Sequence, residues 1–407
     1  MGSTLDLPGG NSPTLALVHP TEEEKLIQFN LNGAEWRGAL SLQAYLRREQ
    51  ILSSQTLTRD GGITYWILVD TATETNPLDP SSSARLPLAS CETYRKKALV
   101  WQDGLVCETI AHGIGSVFCA PHLRKRGYAA RMMQELGKAL ETHQTTKDKE
   151  CLFSVLYSDI GKKFYAEHGW EPFDSAHVSL PAGMSKLVAG KSLLTAQPLY
   201  EEDLASLCEI DEALIRKTLN SRAKDQKAAV AFIPDIETIQ WHHAREDFVG
   251  RELHGKAPKV RGAIVGTEQG KRIWCYWTRM WYNQDPKESA GNTLHILRLV
   301  VEDGGHSSWE GTGAKQGNGS SNDDERDAAI AALFLMAQQQ AEEWKMEHVE
   351  AWNPSSAVLA AAQMLDPEAQ VVERDRDSIA SLRWYPHHEG PVAGSIDWVG
   401  NEKFGWC

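Results

Sequence analysis

Arg124-Lys125-Arg126-Gly127-Tyr128-Ala129 gathers three cations, a glycine and a small residue into six positions. An apolar run, Gly115 to Pro121, precedes it and reads as a strand. Downstream, Ala130 to Glu141 sets Met132 or Met133, Leu136 and Leu140 on one face of a helix. A strand, a basic glycine turn and a helix together predict an anion cradle. The turn's N–H groups and the helix N-terminus point at the anion. Gly127 lets the backbone approach closely, Ala129 keeps bulk away, and Arg124, Lys125 and Arg126 supply charge. The pattern suits the pyrophosphate of an acyl-coenzyme A, and so points to acyl transfer.

The elements that must position this turn can be read on either side. Thr21 to about Leu52 reads as helical with a break at Asn32-Gly33, and Thr21-x-x-Glu24 predicts a capping box. Thr64–Asp70, Pro87–Val100 and Val106–Cys119 predict an antiparallel meander, with a surface loop over Asn76–Arg85. A buried strand over 152–157 returns parallel to the meander after the helix, in a right-handed crossover. On the strand before the cradle, alternation puts Glu108 and His112 on one face. Gly113 and Gly115 can insert a bulge there. An amine acceptor must lose a proton before it attacks, so Glu108 and His112 are candidate bases, or else ordinary hydrogen-bonded strand residues.

Arg124-x-x-Gly127-x-Ala129 fits the Arg/Gln-x-x-Gly-x-Gly/Ala signature of the GNAT N-acetyltransferases, and the chain resembles that family. Leu152–Tyr157 and the stretch Ser158 to Trp170, with Tyr165, match the family's next strand and helix in order and spacing. Within the family the chain is most similar to the fungal lysine N6-acetyltransferases, which acetylate free lysine in lysine catabolism. That likeness rests on Leu17–Thr21, Leu31–Gly38, Leu88–Thr93, the Arg124 turn and the Tyr165 helix, with the closing Asn401–Cys407. The resemblance implies an α/β fold with a mixed sheet and acetyl-CoA as co-substrate. It implies direct attack of the amine, with Tyr165 protonating the departing thiolate. It also implies two splayed strands, where Val117 and Cys119 offer backbone groups to the pantetheine arm. Asp159 then either caps a helix or touches the coenzyme. Glu35, Trp36 and Arg37 fall where the family lines its acceptor pocket, and as helix charges they can equally face solvent. Acylation of another primary amine (a polyamine, a secondary-metabolite amine or a protein lysine) and a non-catalytic acyl-CoA-binding role stay open.

A chain of 407 residues with 42% apolar content calls for two cores. The expected organisation is a flexible tail over 1–14, a GNAT domain over 15–183, and a second, degenerate GNAT-like domain over 195–407. In the second part, Tyr200–Asn220 reads as a helix, and Val260–Gly266, Arg272–Tyr282 and Asn292–Val301 as strands. A polar loop over 304–327, expected to be mobile, precedes a helix over 328–347 and a strand over His348–Trp352, with Asn353 as the next helix cap. That string echoes the first half without the cradle, so only the first domain is expected to bind the coenzyme.

A net charge of −13 disfavours a nucleic-acid surface, and no apolar run reaches the length of a membrane span. Seven scattered cysteines and a start without a signal-peptide pattern suggest a cytoplasmic protein. The paired histidines His242-His243 and His387-His388 read as surface loops, and no metal is expected. The aromatic-rich tail, Phe404, Trp406 and Cys407, is expected to enter an interdomain cleft and bring its carboxylate towards the acyl site.

Overall fold

The computed structural model describes residues 7–73, 75–79, 81–183, 194–302 and 321–407. The first half runs β1 (Leu15–Val18), α1 (Glu22–Trp36), α2 (Leu42–Ser53), β2 (Ile63–Asp70), β3 (Ala89–Gln102), β4 (Leu105–Phe118) and α3 (Tyr128–Leu140). It continues through β5 (Cys151–Ser158), α4 (Lys163–Ala166), β6 (Glu171–Pro172) and β7 (Ala176–Pro181). The second half opens with β8 (Gln197–Leu199), α5 (Glu201–Asn220), β9 (Ala228–Phe232), α6 (Ile236–His254) and β10 (Gly262–Val265). There follow β11 (Ile273–Met280), β12 (Thr293–Val301), α7 (Ser321–Glu343), β13 (His348–Trp352) and α8 (Ser356–Leu365). Last come β14 (Val372–Glu373), β15 (Ile379–Trp384), α9 (Val392–Ser395), β16 (Ile396–Val399) and a 3₁₀ turn over Lys403–Gly405.

Two mixed sheets result, and their strand orders correspond. The first reads β1-β2-β3-β4-β5-β15-β6, with β9 beside β3 and β16 beside β9. The second reads β8-β10-β11-β12-β13-β7-β14. In each, an antiparallel run leads to one parallel pair, β4 with β5 and β12 with β13. In each, too, the strand beyond that pair comes from the other half: β15 pairs with β5, and β7 pairs with β13. The expected division at 183/195 therefore runs across two exchanged strands. Phe153 and Val155 of the first sheet share one core with Trp274, Tyr276 and Leu297 of the second, and Phe404 is buried among them.

Local chemistry explains most element ends. Thr21 accepts from the Glu24 N–H while the Glu24 carboxylate accepts from the Thr21 N–H, so the capping box forms as the sequence predicts. The helix does not break at Asn32-Gly33. Gly33 passes against Leu42, where a Cβ would come within 2.8 Å, and the chain turns instead at Gly38, whose φ is +55°. Helix α3 buries Met132, Met133, Leu136 and Leu140 completely, each worth about 1.5–3 kcal/mol of apolar transfer. Helix α7 starts at Ser321, inside the expected 304–327 loop, whose residues up to 320 lie outside the described ones. Ser355, not Asn353, caps α8. The Asn353 side chain instead accepts from the Ala176 N–H and donates to the Asn401 carbonyl. Of the expected tail, residues 1–6 lie outside the described ones. Residues 8 and 10 are held: the Gly10 N–H donates to the Arg126 carbonyl and the Tyr128 hydroxyl to the Pro8 carbonyl.

Candidate active site

The cradle begins at β4 and ends in α3. Lys125 and Gly127 both adopt left-handed backbone, φ +66° and +85°, which turns successive N–H groups to one side. None of the N–H groups from Lys125 to Ala130 meets an acceptor among the described residues. They are orphaned at the start of a 13-residue helix, where an anion is stabilised by both hydrogen bonding and the helix dipole. The opposite side of the turn is fixed by Gly10 on the Arg126 carbonyl. Arg124 donates to the Cys119 carbonyl, lies 6.0 Å from the Phe118 ring and reaches Glu35 at 3.7 Å. Arg126 donates to the Leu7 carbonyl, and Lys125 is exposed. Tyr128 is buried, and Ala129 is half-buried beside the orphaned groups. These residues fit a pyrophosphate.

Beyond the cradle the sheet opens. The β4–β5 ladder ends at Ile114–Leu156, so Gly115–Phe118 and Tyr157–Ser158 do not pair with each other. At the opening β4 carries a bulge: its register on β3 slips between Ser90 and Glu92, and Ser116 has φ +51°. The bulge turns the Ser116 hydroxyl onto Glu92, which it meets at 2.6 Å. Tyr94 donates to the same carboxyl oxygen at 3.0 Å. Burial, with the charge of Glu49 adding to it, pushes the Glu92 carboxyl up to about 7 against the two hydrogen bonds. Val117 follows the bulge and packs on the α3 side, and the Cys119 thiol donates to the Leu88 carbonyl. Tyr165 is buried in the same cluster. Its hydroxyl meets no partner among the described residues, and burial keeps it protonated well above the usual phenol range.

The tail lies across this opening. A Cβ on Gly113 would strike the Cys407 sulfur at 2.6 Å, and one on Gly115 would meet the Cys407 main-chain oxygen at 3.1 Å. These glycines leave the room that Cys407 fills. Lys96 donates to the Gly405 carbonyl at 2.8 Å, and the Lys403 amine sits over the Trp352 and Trp406 rings at 4.4 and 4.2 Å. Burial brings the Lys403 amine down to about 7. The tail, α2 and α6 meet beside Glu92, where Leu52, Trp241, Trp406 and Cys407 pack in one cluster with Tyr94. Tyr282 keeps 46% of its surface open although desolvation lifts its phenol well above the usual range. Arg245 of α6 is half-buried and strongly desolvated as well. Arg48 and Glu49 act electrostatically on both Glu92 and Arg245.

Other expected residues fall elsewhere. Since Gly113 faces the tail, alternation turns His112 to the opposite face. It is fully buried there with Nε2 3.1 Å from the His143 carbonyl, and burial lowers its pKa to about 4. Glu108 lies on the surface, paired with Arg216 at 2.6 Å and Lys149 at 3.6 Å. Asp159 accepts from the Ser378 N–H and so holds the approach to β15. Glu35 joins the cradle through Arg124, Trp36 meets the Phe118 ring edge-on at 5.8 Å, and Arg37 is the exposed C-cap of α1. Glu35 and Trp36 thus stand by the cradle's mouth. His242 and His243 are not on a surface loop: both are buried on α6, against the Phe404 and Trp277 carbonyls. His387 and His388 are exposed in a loop as expected. Trp274, Tyr276 and Trp277 are core residues, while Tyr282 is exposed.

Sequence reasoning assigned no role to Glu92, Ser116 or Arg245. The signal for Glu92 was a carboxylate within an apolar strand. Arg245 stood on a helix that had not been read.

The second sheet has the matching opening, and it is filled. The β12–β13 ladder stops at Ile296–Ala351. Glu402 enters there, accepting from the Leu299 N–H at 3.1 Å and pairing with Arg298, which also holds Asp211 at 2.8 Å. The chain's own Glu402 thus fills the second opening.

Residues 177–407 match the family model described as the LYC1 GNAT-like C-terminal domain. A lysine acetyltransferase of Yarrowia lipolytica is 24% identical over 287 residues, covering 61% of this chain and 68% of that protein. An uncharacterized protein of Saccharomyces cerevisiae is 21% identical over 413 residues, covering 92% and 93%. Among solved structures, an Enterococcus faecalis protein described as a probable N-acyltransferase aligns with TM-score 0.50 at 15% identity, over 91% of this chain and 73% of that one, a likeness of fold. With more than half its length matched by the family model, and with the strand order, opening and cradle described above, the chain belongs to the LYC1-like GNAT acetyltransferases.

Proposed function

We propose that the protein transfers acetyl from acetyl-CoA to the ε-amine of free L-lysine. The observation that carries this reading is Glu92, a buried carboxyl with a pKa of about 7 beside the β4 bulge. The co-substrate supplies an activated thioester; the chain's own groups supply the proton transfers. A carboxylate that titrates near neutrality is well matched to take a proton from an ammonium in the transfer step. Tyr165, buried and protonated with a free hydroxyl, supplies the proton for the departing thiolate. The orphaned N–H groups of residues 125–130 and the cations around them hold the pyrophosphate. The Yarrowia lipolytica relative supports lysine as the acceptor.

The test is coenzyme A release from acetyl-CoA with L-lysine, set beside putrescine, spermidine, cadaverine and a lysine-containing peptide. Saturable release with lysine, and acetylation mapped to the ε-nitrogen, is the expected outcome. Release with another amine alone keeps the chemistry and removes lysine. Tight acetyl-CoA binding without release for any amine overturns the enzymatic reading.

A further inference from the structure

Arg245 stands out among the buried cations. Arg261 and Arg279 share Glu246 at 2.7 Å each, Arg272 holds Glu302, and Arg298 holds Asp211 and Glu402. The Arg245 guanidinium has no hydrogen bond and no ion pair among the described residues. Its neighbour in sequence, Glu246, is committed to Arg261 and Arg279. Glu49, the nearest candidate from α2, is engaged by Arg48 at 2.7 Å. An unpaired guanidinium in a desolvated site is stabilised when an anion completes it. The Trp406 ring lies 5.8 Å away. A planar fork of N–H donors is suited to a carboxylate.

The spacing fits the rest of the site. Arg245 lies beside Trp406, and the next residue, Cys407, lies against Gly113 and Gly115 at the acyl end. The two places are joined by consecutive residues, whose Cα atoms lie about 3.8 Å apart, so a carboxylate on Arg245 and an amine at the opening can belong to one small molecule. We propose that Arg245 anchors the carboxylate of the acceptor, so that the substrate class is a free amino acid and not a carboxylate-free amine. This assignment rests on the acetyl-transfer reading above.

L-lysine and cadaverine form the decisive pair, since they share the amine chain and differ in the carboxylate. The wild-type protein is expected to prefer lysine in kcat/KM. Arg245→Ala is expected to lower lysine turnover roughly 100-fold and the lysine-to-cadaverine ratio by the same factor, the usual loss when a buried charge partner is removed. Added guanidinium ion should restore part of the lysine rate. Arg245→Lys, which keeps the charge without the fork, should fall between the two. Arg245→Ala should melt no lower than wild type, because an unpaired, desolvated cation is removed. Equal loss for both amines in Arg245→Ala, or a wild-type protein that takes cadaverine as readily as lysine, would overturn the anchor. If wild type releases no coenzyme A with either amine, the acetyl-transfer reading fails by itself. The anchor is then judged by calorimetry on the CoA-saturated protein. Lysine binding that exceeds cadaverine binding and is lost in Arg245→Ala supports it; equal binding of the two removes it.

Discussion

Glu92→Gln separates catalysis from architecture because the two effects have opposite signs. In the fold the Glu92 carboxyl titrates at about 7 instead of 4.5, a difference of about 3 kcal/mol. Between these values the folded protein holds a proton that the unfolded chain has released. Stability contributed by this site therefore falls as pH rises from 4.5 to about 7, and the full cost of the buried charge is present above 7. Glutamine keeps an oxygen for the Ser116 and Tyr94 hydroxyls and never ionises. The variant should melt a few °C above wild type at pH 8, and the gap should close towards pH 5. Its kcat/KM for the acceptor should nevertheless drop by ~100- to 10,000-fold. Wild-type kcat/KM should climb tenfold per pH unit below neutrality and level off near 7, a limb the variant lacks. Thermal melts across pH 5–8 and a coenzyme A release assay over the same range read both effects on one preparation. A variant within tenfold of wild-type activity, or a wild-type profile without a break near neutrality, would refute the assignment of Glu92 as base.

Three further outcomes follow from the same geometry. Tyr165→Phe should lower kcat ~10- to 100-fold while acetyl-CoA binding, measured by calorimetry, stays within twofold, since only the proton donor is lost. His112 is held neutral by burial with a pKa lowered to about 4, so its stabilising effect is present above 6.5 and lost as pH falls towards 4; His112→Leu should flatten the melting temperature across that window without moving the activity profile. Phe404→Ala should destabilise by about 3–5 kcal/mol in urea, because Phe404 is fully buried in the core shared by both sheets, and activity should fall with it as the tail loosens.

The cradle was legible in the sequence because phosphate binding imposes its demands locally. A turn that aims several N–H groups at one anion needs left-handed backbone, and Gly127 announces it within three residues of the cations. The β4–α3–β5 crossover was legible because each element carries its own period. Glu92 was not, because its chemistry arises from its burial and from Glu49 and Ser116, which come close only after folding. The base reading of His112 failed to foresee which strand face would be buried behind α3; alternation gives two faces and does not say which meets the tail. Arg245 lay hidden because α6 buries Trp241, His242, His243 and Glu246 together, so no apolar stripe marks the helix. The exchange of β7 and β15 was invisible for a related reason. A short apolar strand advertises that it will be buried in a sheet, not in which sheet.

That exchange ties the two halves together. With β15 completing the first sheet and β7 the second, neither half has its full hydrogen-bonded edge alone. The last residues then run from one opening to the other. Glu402 is fastened to Arg298 and the Leu299 N–H in the second sheet, and five residues later Cys407 rests on Gly113 and Gly115 in the first. Between them Gly405 is held by Lys96, and Trp406 lies next to Arg245. The opening of the second sheet thus anchors the segment that lies across the opening of the first, so freeing Glu402 would also loosen the residues packed on Gly113 and Gly115.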